Sequence, residues 1–295
     1  MVGSGAISPR PGRRAVLTAA AGLMLAAALP LHAQPAARLA AIDWAMLETA
    51  VALGRMPVAA TELIRYRADI GTPAIPPEVT DLGLRGAPNF ELLQLVRPTL
   101  ILSSPYYTQF EGRLTAIAPV LSLPFFLPDE PPLPKALAAL AVLADALNDA
   151  PAGARAQVRA EAELDRIRDR LAPHAHRPVA LVEIGDARHL RAFGFDSLFG
   201  CTLTRIGLTN AWTEQTAFSF LAPVPLERLA DMPDATLVIA GPVPPEARRG
   251  LERSVLWRAL PQVAAGRVRQ LPRINAFGGV PSALRLAQAL ERVLA

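Results

Sequence analysis

The change of period in the middle of the chain restricts its fold more than any other feature. Before it, short apolar runs at 38–42, 58–60, 99–102 and 120–123 read as buried strands, with helices predicted at 44–53 and 111–117. Such alternation predicts a largely parallel sheet covered by helices. The proline-rich run 124–134 then excludes regular structure. After it the pattern turns purely helical. Leu133, Leu137, Leu140, Ala144 and Leu147 share one face, and beyond Pro151 so do Ala160, Leu164, Ile167 and Leu171, with Arg159, Glu163, Arg166 and Asp169 opposite. Pro151 either falls early in a second helix or kinks a single long one. Strand and helix patterns resume at 178–184, 196–206, 226–230, 235–240, 246–260, 267–271 and 281–294. The predicted class is α/β, with a βα lobe on either side of this helical segment. The expected divisions are a leader (1–33), a first lobe (34–132), a connecting helical segment (133–173) and a second lobe (174–295).

The leader reads as an export signal. Arg13 and Arg14 precede a weakly apolar run, 15–31, closed by Pro30 and followed by a small residue, Ala33, at a plausible cleavage point. The arginine pair suggests twin-arginine export, and the protein is expected in the periplasm. The run is short for a membrane span, so a retained anchor is the less favoured reading. No cysteine follows it to carry a lipid. Cleavage near Ala33 removes three arginines and no acid, which takes the formal charge from +4 to +1. With that balance and no basic run interleaved with aromatics, nucleic acid is not an expected partner. Cys201 is the lone cysteine, set among Leu198, Phe199 and Leu203, and reads as a buried structural thiol.

The chain holds no Gly-x-Ser-x-Gly elbow, phosphate-binding glycine loop or HExxH. His174 and His176 are two apart but lack a nearby third ligand for zinc, and His189 stands alone beside Arg188. No catalytic residues and no protein-bound metal are therefore expected. One stretch stands out instead. Asp81-Leu82-Gly83-Leu84-Arg85-Gly86-Ala87-Pro88-Asn89-Phe90-Glu91 is a glycine-bearing loop that presents one arginine and enters a helix. The strand after it ends in Ser103-Ser104-Pro105-Tyr106-Tyr107. Loops at the carboxyl ends of strands in an open α/β sheet are where ligands sit, so Arg85 and the tyrosine pair should face one cleft.

This stretch resembles the periplasmic ferric-siderophore-binding proteins of ABC importers, and within them the ferric-hydroxamate binders. Phrases similar to theirs recur in the same order: Phe193-Gly194, Asp196-Ser197-Leu198-Phe199, Asn210-Ala211-Trp212, Leu226-Glu227-Arg228-Leu229 and Leu256-Trp257. The resemblance implies two βα lobes joined by a single long, kinked helix, and capture of an Fe(III)–siderophore complex between the lobes by a monomer, which delivers it to an inner-membrane permease. It implies hydroxamate contact by Arg85 and Tyr107, with Tyr106 and Trp44 beside them. The chain departs from those relatives elsewhere: Asp69, Ser219 and Asn275 stand where they carry tryptophans, and Phe277 replaces a tyrosine. Phe218, Phe220 and Phe277 could still form apolar wall, Trp212 is either wall or core, and Asp69 would favour a cationic group. A bulkier, more hydrophilic or carboxylate-bearing siderophore fits such a pocket. Glu111 and Glu227, one per lobe, match the positions that dock on permease arginines. The alternatives are haem or a corrinoid on the same fold and, from another class, an exported hydrolase.

Overall fold

The structure is a computed structural model and describes residues 1–3, 37–216 and 223–295. Ala37–Ala295 form one compact unit, and all that follows concerns it. Residues 4–33 of the expected export signal lie outside the described residues, as do Phe218, Ser219 and Phe220.

The first lobe is built on a five-stranded sheet of order β3-β2-β1-β4-β5, comprising β1 (Leu39–Ala41), β2 (Ala59–Ala60), β3 (Thr80–Asp81), β4 (Leu100–Ser103) and β5 (Val120–Ser122). Every pairing is parallel. β1, β2 and most of β4 are buried along their length, as expected of strands covered on both faces. Helix α1 (Trp44–Ala52) starts where the Asp43 carboxylate accepts from the N–H groups of Ala45 and Met46, and α2 (Phe90–Leu95) starts on the Asn89 side chain. The strand order reverses between β1 and β4, the point at which open α/β sheets leave a crevice beyond their carboxyl ends.

The predicted helical middle forms two helices, α3 (Pro132–Ala146) and α4 (Ala150–Leu171). Pro151 does not kink a single rod. Asn148 turns the chain with a left-handed φ of 55°, Asp149 caps α4 by accepting from the Ala152 N–H, and Pro151 occupies its first turn, where a missing N–H is harmless. α4 has 22 residues, about 33 Å at 1.5 Å per residue, and is the long helix that joins the lobes. Its Ala156 and Ala160 belong to the first core, and its Leu164, Ile167 and Leu171 to the second. α3 runs antiparallel to it, with Leu133 in the second core and Ala136 to Ala144 in the first.

The second sheet has the order β10-β9-β6-β7-β8, comprising β6 (Val179–Ile184), β7 (His189–Ala192), β8 (Val224–Pro225), β9 (Thr236–Ile239) and β10 (Val268–Gln270). It is parallel over β6, β9 and β10 and antiparallel at β7 and β8. The sequence reading missed these last two strands, which are four and two residues long. Helices α5 (Leu198–Arg205) and α6 (Val280–Leu294) close the lobe. α6 also reaches the first core through Val280. Cys201 is a thiol that burial pushes up to about 12. It accepts from the Leu133 N–H at 3.4 Å and so ties α5 to the start of α3.

Candidate functional site

Residues leaving the carboxyl ends of the first sheet converge with two from the second lobe. Asp43 follows β1, Glu62 follows β2, Arg85 and Gly86 follow β3, and Tyr106 and Tyr107 follow β4. With Phe126, Arg191 and Phe277 they line a cavity of about 410 Å³. An adjoining hollow of about 260 Å³ shares Tyr106 and Phe126 with it and adds Ser104, Pro105, Phe125 and Pro128. Together the two are of ligand-pocket size.

Arg85 is the centre of this arrangement. Its Nε donates to Glu62 Oε2 at 2.9 Å, and its guanidinium carbon lies 4.1 Å from the centroid of the Trp44 ring. A cation over an indole face contributes about 0.5–2 kcal/mol, more as water is excluded. Trp44 is held in turn by its Nε1–H, which donates to the Thr61 carbonyl at 3.0 Å, and by edge contact with Tyr66 at 5.1 Å between ring centroids. Glu62 reaches Arg85 from a left-handed backbone, φ 51°, a conformation that side-chain-bearing residues keep only when their surroundings enforce it. Its N–H donates to the Gly83 carbonyl at 2.7 Å, and its own carboxylate accepts the Arg85 N–H at 3.3 Å.

Burial pushes the Tyr107 hydroxyl up to about 12, and the charge on Asp43 adds to this, while the charge on Arg85 pulls it back. Tyr107 is therefore a neutral phenol whose O–H remains able to donate. Tyr106 is half exposed and is raised chiefly by burial. Asp43 accepts from Ser104 Oγ at 2.9 Å. Burial raises its carboxyl, and its hydrogen bonds and Arg85 oppose the rise. Phe126 and Phe277 meet edge to face at 5.4 Å and form an apolar wall. Arg191 pairs across strands with Glu183 at 2.9 Å.

Arg85, Tyr106, Tyr107 and Phe277 thus share the cavity, and Trp44 lies directly against Arg85. Other expected ligand residues sit elsewhere. Trp212 is 6% exposed in the second lobe's core, its Nε1–H bonded to the Leu181 carbonyl at 3.1 Å, so it is not cavity wall. Asn275 is 5% exposed and donates to Glu48 Oε1 at 3.0 Å. Asp69 faces Arg273 at 3.7 Å and Arg65 at 3.4 Å in a different, open groove of about 630 Å³; with two arginines beside it, a cationic ligand group finds no uncommitted anion there. Glu111 opens the helix Glu111–Thr115 and Glu227 lies in the 3₁₀ turn Leu226–Asp231, both exposed. The sequence reading missed Asp43, Glu62, Phe126 and Arg191. Two aromatics within a proline run were the available signal for Phe126, and nothing local marks the others.

Among the described residues no group of three or more His, Cys, Asp or Glu side chains could hold a metal ion. Chemically the cavity offers a guanidinium and a phenol as donors, an aromatic wall, and carboxylates that offset the arginines. That suits a compact, oxygen-rich solute of low net charge with an apolar exterior.

The profile of the periplasmic binding protein family matches residues 39–274. The chain belongs to the periplasmic binding protein family. It is 31% identical over 257 residues to the iron(3+)-hydroxamate-binding protein FhuD of Escherichia coli (strain K12), which covers 87% of this chain and 86% of that protein. The crystal structure of FhuD from Vibrio cholerae with Fe3+–Desferal bound superposes with a TM-score of 0.79 at 26% identity, covering 88% of this chain and 98% of that one. Staphylococcus aureus SirA complexed with staphyloferrin B shares the fold at 18% identity and a TM-score of 0.61, covering 86% of this chain and 91% of that one.

Two predictions arise here. Replacing Glu62 by Gln removes the counter-charge of Arg85, and about 1–2 kcal/mol of attraction for an anion follows at the effective dielectric of a partly buried site. Relative to a neutral ferric complex, an anionic one should gain about tenfold in affinity, measured by calorimetry; equal changes for both would refute the charge argument. The second concerns Glu48, which is fully buried and whose carboxyl burial pushes up from 4.5 to about 7. The folded protein then holds this proton more tightly than the unfolded chain. Its contribution to stability is greatest below pH 4.5, declines as pH rises from about 4.5 to about 7, and is level above. The loss is on the order of 3 kcal/mol at 1.36 kcal/mol per unit. Urea titrations at pH 5 and 8 should show it as a difference between wild type and Glu48→Gln, and parallel behaviour of the two proteins would contradict it.

Proposed function

We propose that this chain is an exported solute-binding protein that captures a ferric siderophore, hydroxamate type favoured, and delivers it to an ABC permease for iron uptake. The observation that carries this reading is the Arg85–Tyr107 donor pair in an aromatic-walled cavity between two lobes. A ferric hydroxamate arrives with iron already wrapped in six oxygens, so the protein needs donors for that oxygen shell and not metal ligands. Similarity to FhuD, named for iron(3+)-hydroxamate binding, supports the same reading. The haem alternative needs an axial ligand, which Tyr106 or Tyr107 would have to supply, and a Soret shift on haem titration that depends on either would favour it.

The proposal includes a periplasmic monomer cut near Ala33, lobes at 34–132 and 174–295 around a helical connector at 133–173, and permease docking through Glu111 and Glu227. Neither catalysis nor a resident cofactor is part of it. Quenching of intrinsic tryptophan fluorescence, with Trp44 against Arg85 as a built-in reporter, should respond to ferric hydroxamates more strongly than to ferric catecholates or citrate. No response to any ferric complex would refute the reading. Because helices span both cores, closure should be small. X-ray scattering should show little change in radius of gyration on ligand addition, and a large compaction would contradict the helical connection as a stiff strut.

A further inference from the structure

Glu48 lies on α1 one helical turn beyond Trp44, yet most of its partners come from the other lobe. Its Oε1 accepts from Asn275 Nδ2 at 3.0 Å and from Ser282 Oγ at 2.9 Å, and its Oε2 accepts the Gly279 N–H at 2.9 Å. The remaining donor is the hydroxyl of Tyr66, at 3.3 Å from Oε1. The segment 275–279 folds closely over α1. A Cβ on Gly278 would stand 2.3 Å from Glu48 Oε2 and 2.3 Å from Ser282 Oγ, so only glycine fits. That same segment presents Phe277 to the cavity, with the Phe277 N–H donating to Asn275 Oδ1 at 3.1 Å.

We propose that Glu48 is the residue that positions the ligand cavity: one buried carboxylate sets the spacing of the two lobes and, through Asn275, the placement of the Phe277 wall opposite Arg85. It is a positioning residue with no ligand contact of its own. A carboxylate is the group that can accept from every side here. A Gln side chain cannot: whichever way its amide turns, its NH2 faces either the Gly279 N–H or the Asn275 NH2. Turning the Asn275 amide to relieve this takes Oδ1 away from the Phe277 N–H. Protonation would remove one accepting site as well, and the ionisable groups around Glu48 are few. Tyr66 faces it from 66–70, Arg285 on α6 acts on Tyr66 while bonding the Ile70 carbonyl at 2.7 Å, and Asp43 caps the start of α1.

The test uses the full mature chain with Cys201→Ala and spin labels at exposed Gln94 and Glu246, one per lobe. Without ligand, Glu48→Gln should broaden the distance distribution between lobes at unchanged melting cooperativity. Adding Asn275→Asp should restore it, since the carboxylate so introduced accepts from the new amide NH2 on α1 while that amide's carbonyl accepts from Gly279. With ferric desferrioxamine as probe, dissociation should be about tenfold faster in Glu48→Gln, with the wild-type dependence on pH between 6 and 8 lost, and recovered in rate by the double variant. A distribution in Glu48→Gln that superposes on wild type would overturn the proposal, as would a broadened distribution with unchanged dissociation. The ligand readout rests on the function proposed above, whereas the distance readout does not. Failure of wild type to bind ferric desferrioxamine would therefore count against the ligand and leave the lobe spacing tested.

Discussion

Replacing Arg85 by alanine is expected to weaken binding of a ferric hydroxamate by about 2–5 kcal/mol, roughly thirty- to several-thousand-fold. The range follows from what is lost and what is left behind. The guanidinium supplies charge-assisted donors to the oxygen shell of the chelate, the strong kind of hydrogen bond, and its charge acts on the Tyr107 phenol beside it. Its removal leaves Glu62, whose side chain is 11% exposed, without its cation at 2.9 Å, and a stranded carboxylate repels ligand oxygens. Arg85→Ala combined with Glu62→Gln should therefore recover part of the loss, and Arg85→Lys should recover less than charge alone implies because ammonium lacks the planar fork. Calorimetric titration of the single and double variants separates these contributions. Binding by Arg85→Ala equal to wild type would remove Arg85 from the site.

Replacing Gly200 by alanine is expected to cost about 3–5 kcal/mol of stability, at the upper end of single substitutions. In an exposed helix the change would stabilise by about 1 kcal/mol. Here α5 runs so close to the preceding loop that a Cβ would stand 1.9 Å from the Gly194 carbonyl oxygen and 2.7 Å from that of Phe193. Both are backbone atoms, and the Gly194 carbonyl is held by the Ser197 hydroxyl at 2.7 Å and the Ser197 N–H at 3.1 Å. The helix cannot retreat either, because Leu198, Phe199 and Leu203 are fully buried on its inner side. The clash outweighs the propensity gain. The melting temperature should fall by on the order of 10 °C, and a melting temperature equal to wild type would refute the close approach.

Much of this architecture was legible in the sequence, and where it was not the reason is specific. Four of the first lobe's five parallel strands follow from apolar runs bounded by turn residues, because a strand covered on both faces must be apolar throughout; β3 escaped, being two polar residues defined by their pairing with β2. The break between α3 and α4 was also present, as Asn148-Asp149 ahead of Pro151, a turn and cap signal that could equally accompany a kink. β7 and β8 escaped because strands of four and two residues are defined by their neighbours. Trp212 could not be assigned between wall and core from its own surroundings, since its Nε1–H finds the Leu181 carbonyl 31 residues away.

The sequence by itself determined the two lobes, the helical connection and the arrival of one arginine and two tyrosines at the ends of strands, because periodicity and turn chemistry are local properties. Only the tertiary structure decided what those groups face. Glu62 meets Arg85 across 23 residues and Glu48 meets Gly279 across 231. Pairings of that span arise from how two separately patterned lobes settle against shared helices, and no pattern along the chain encodes them.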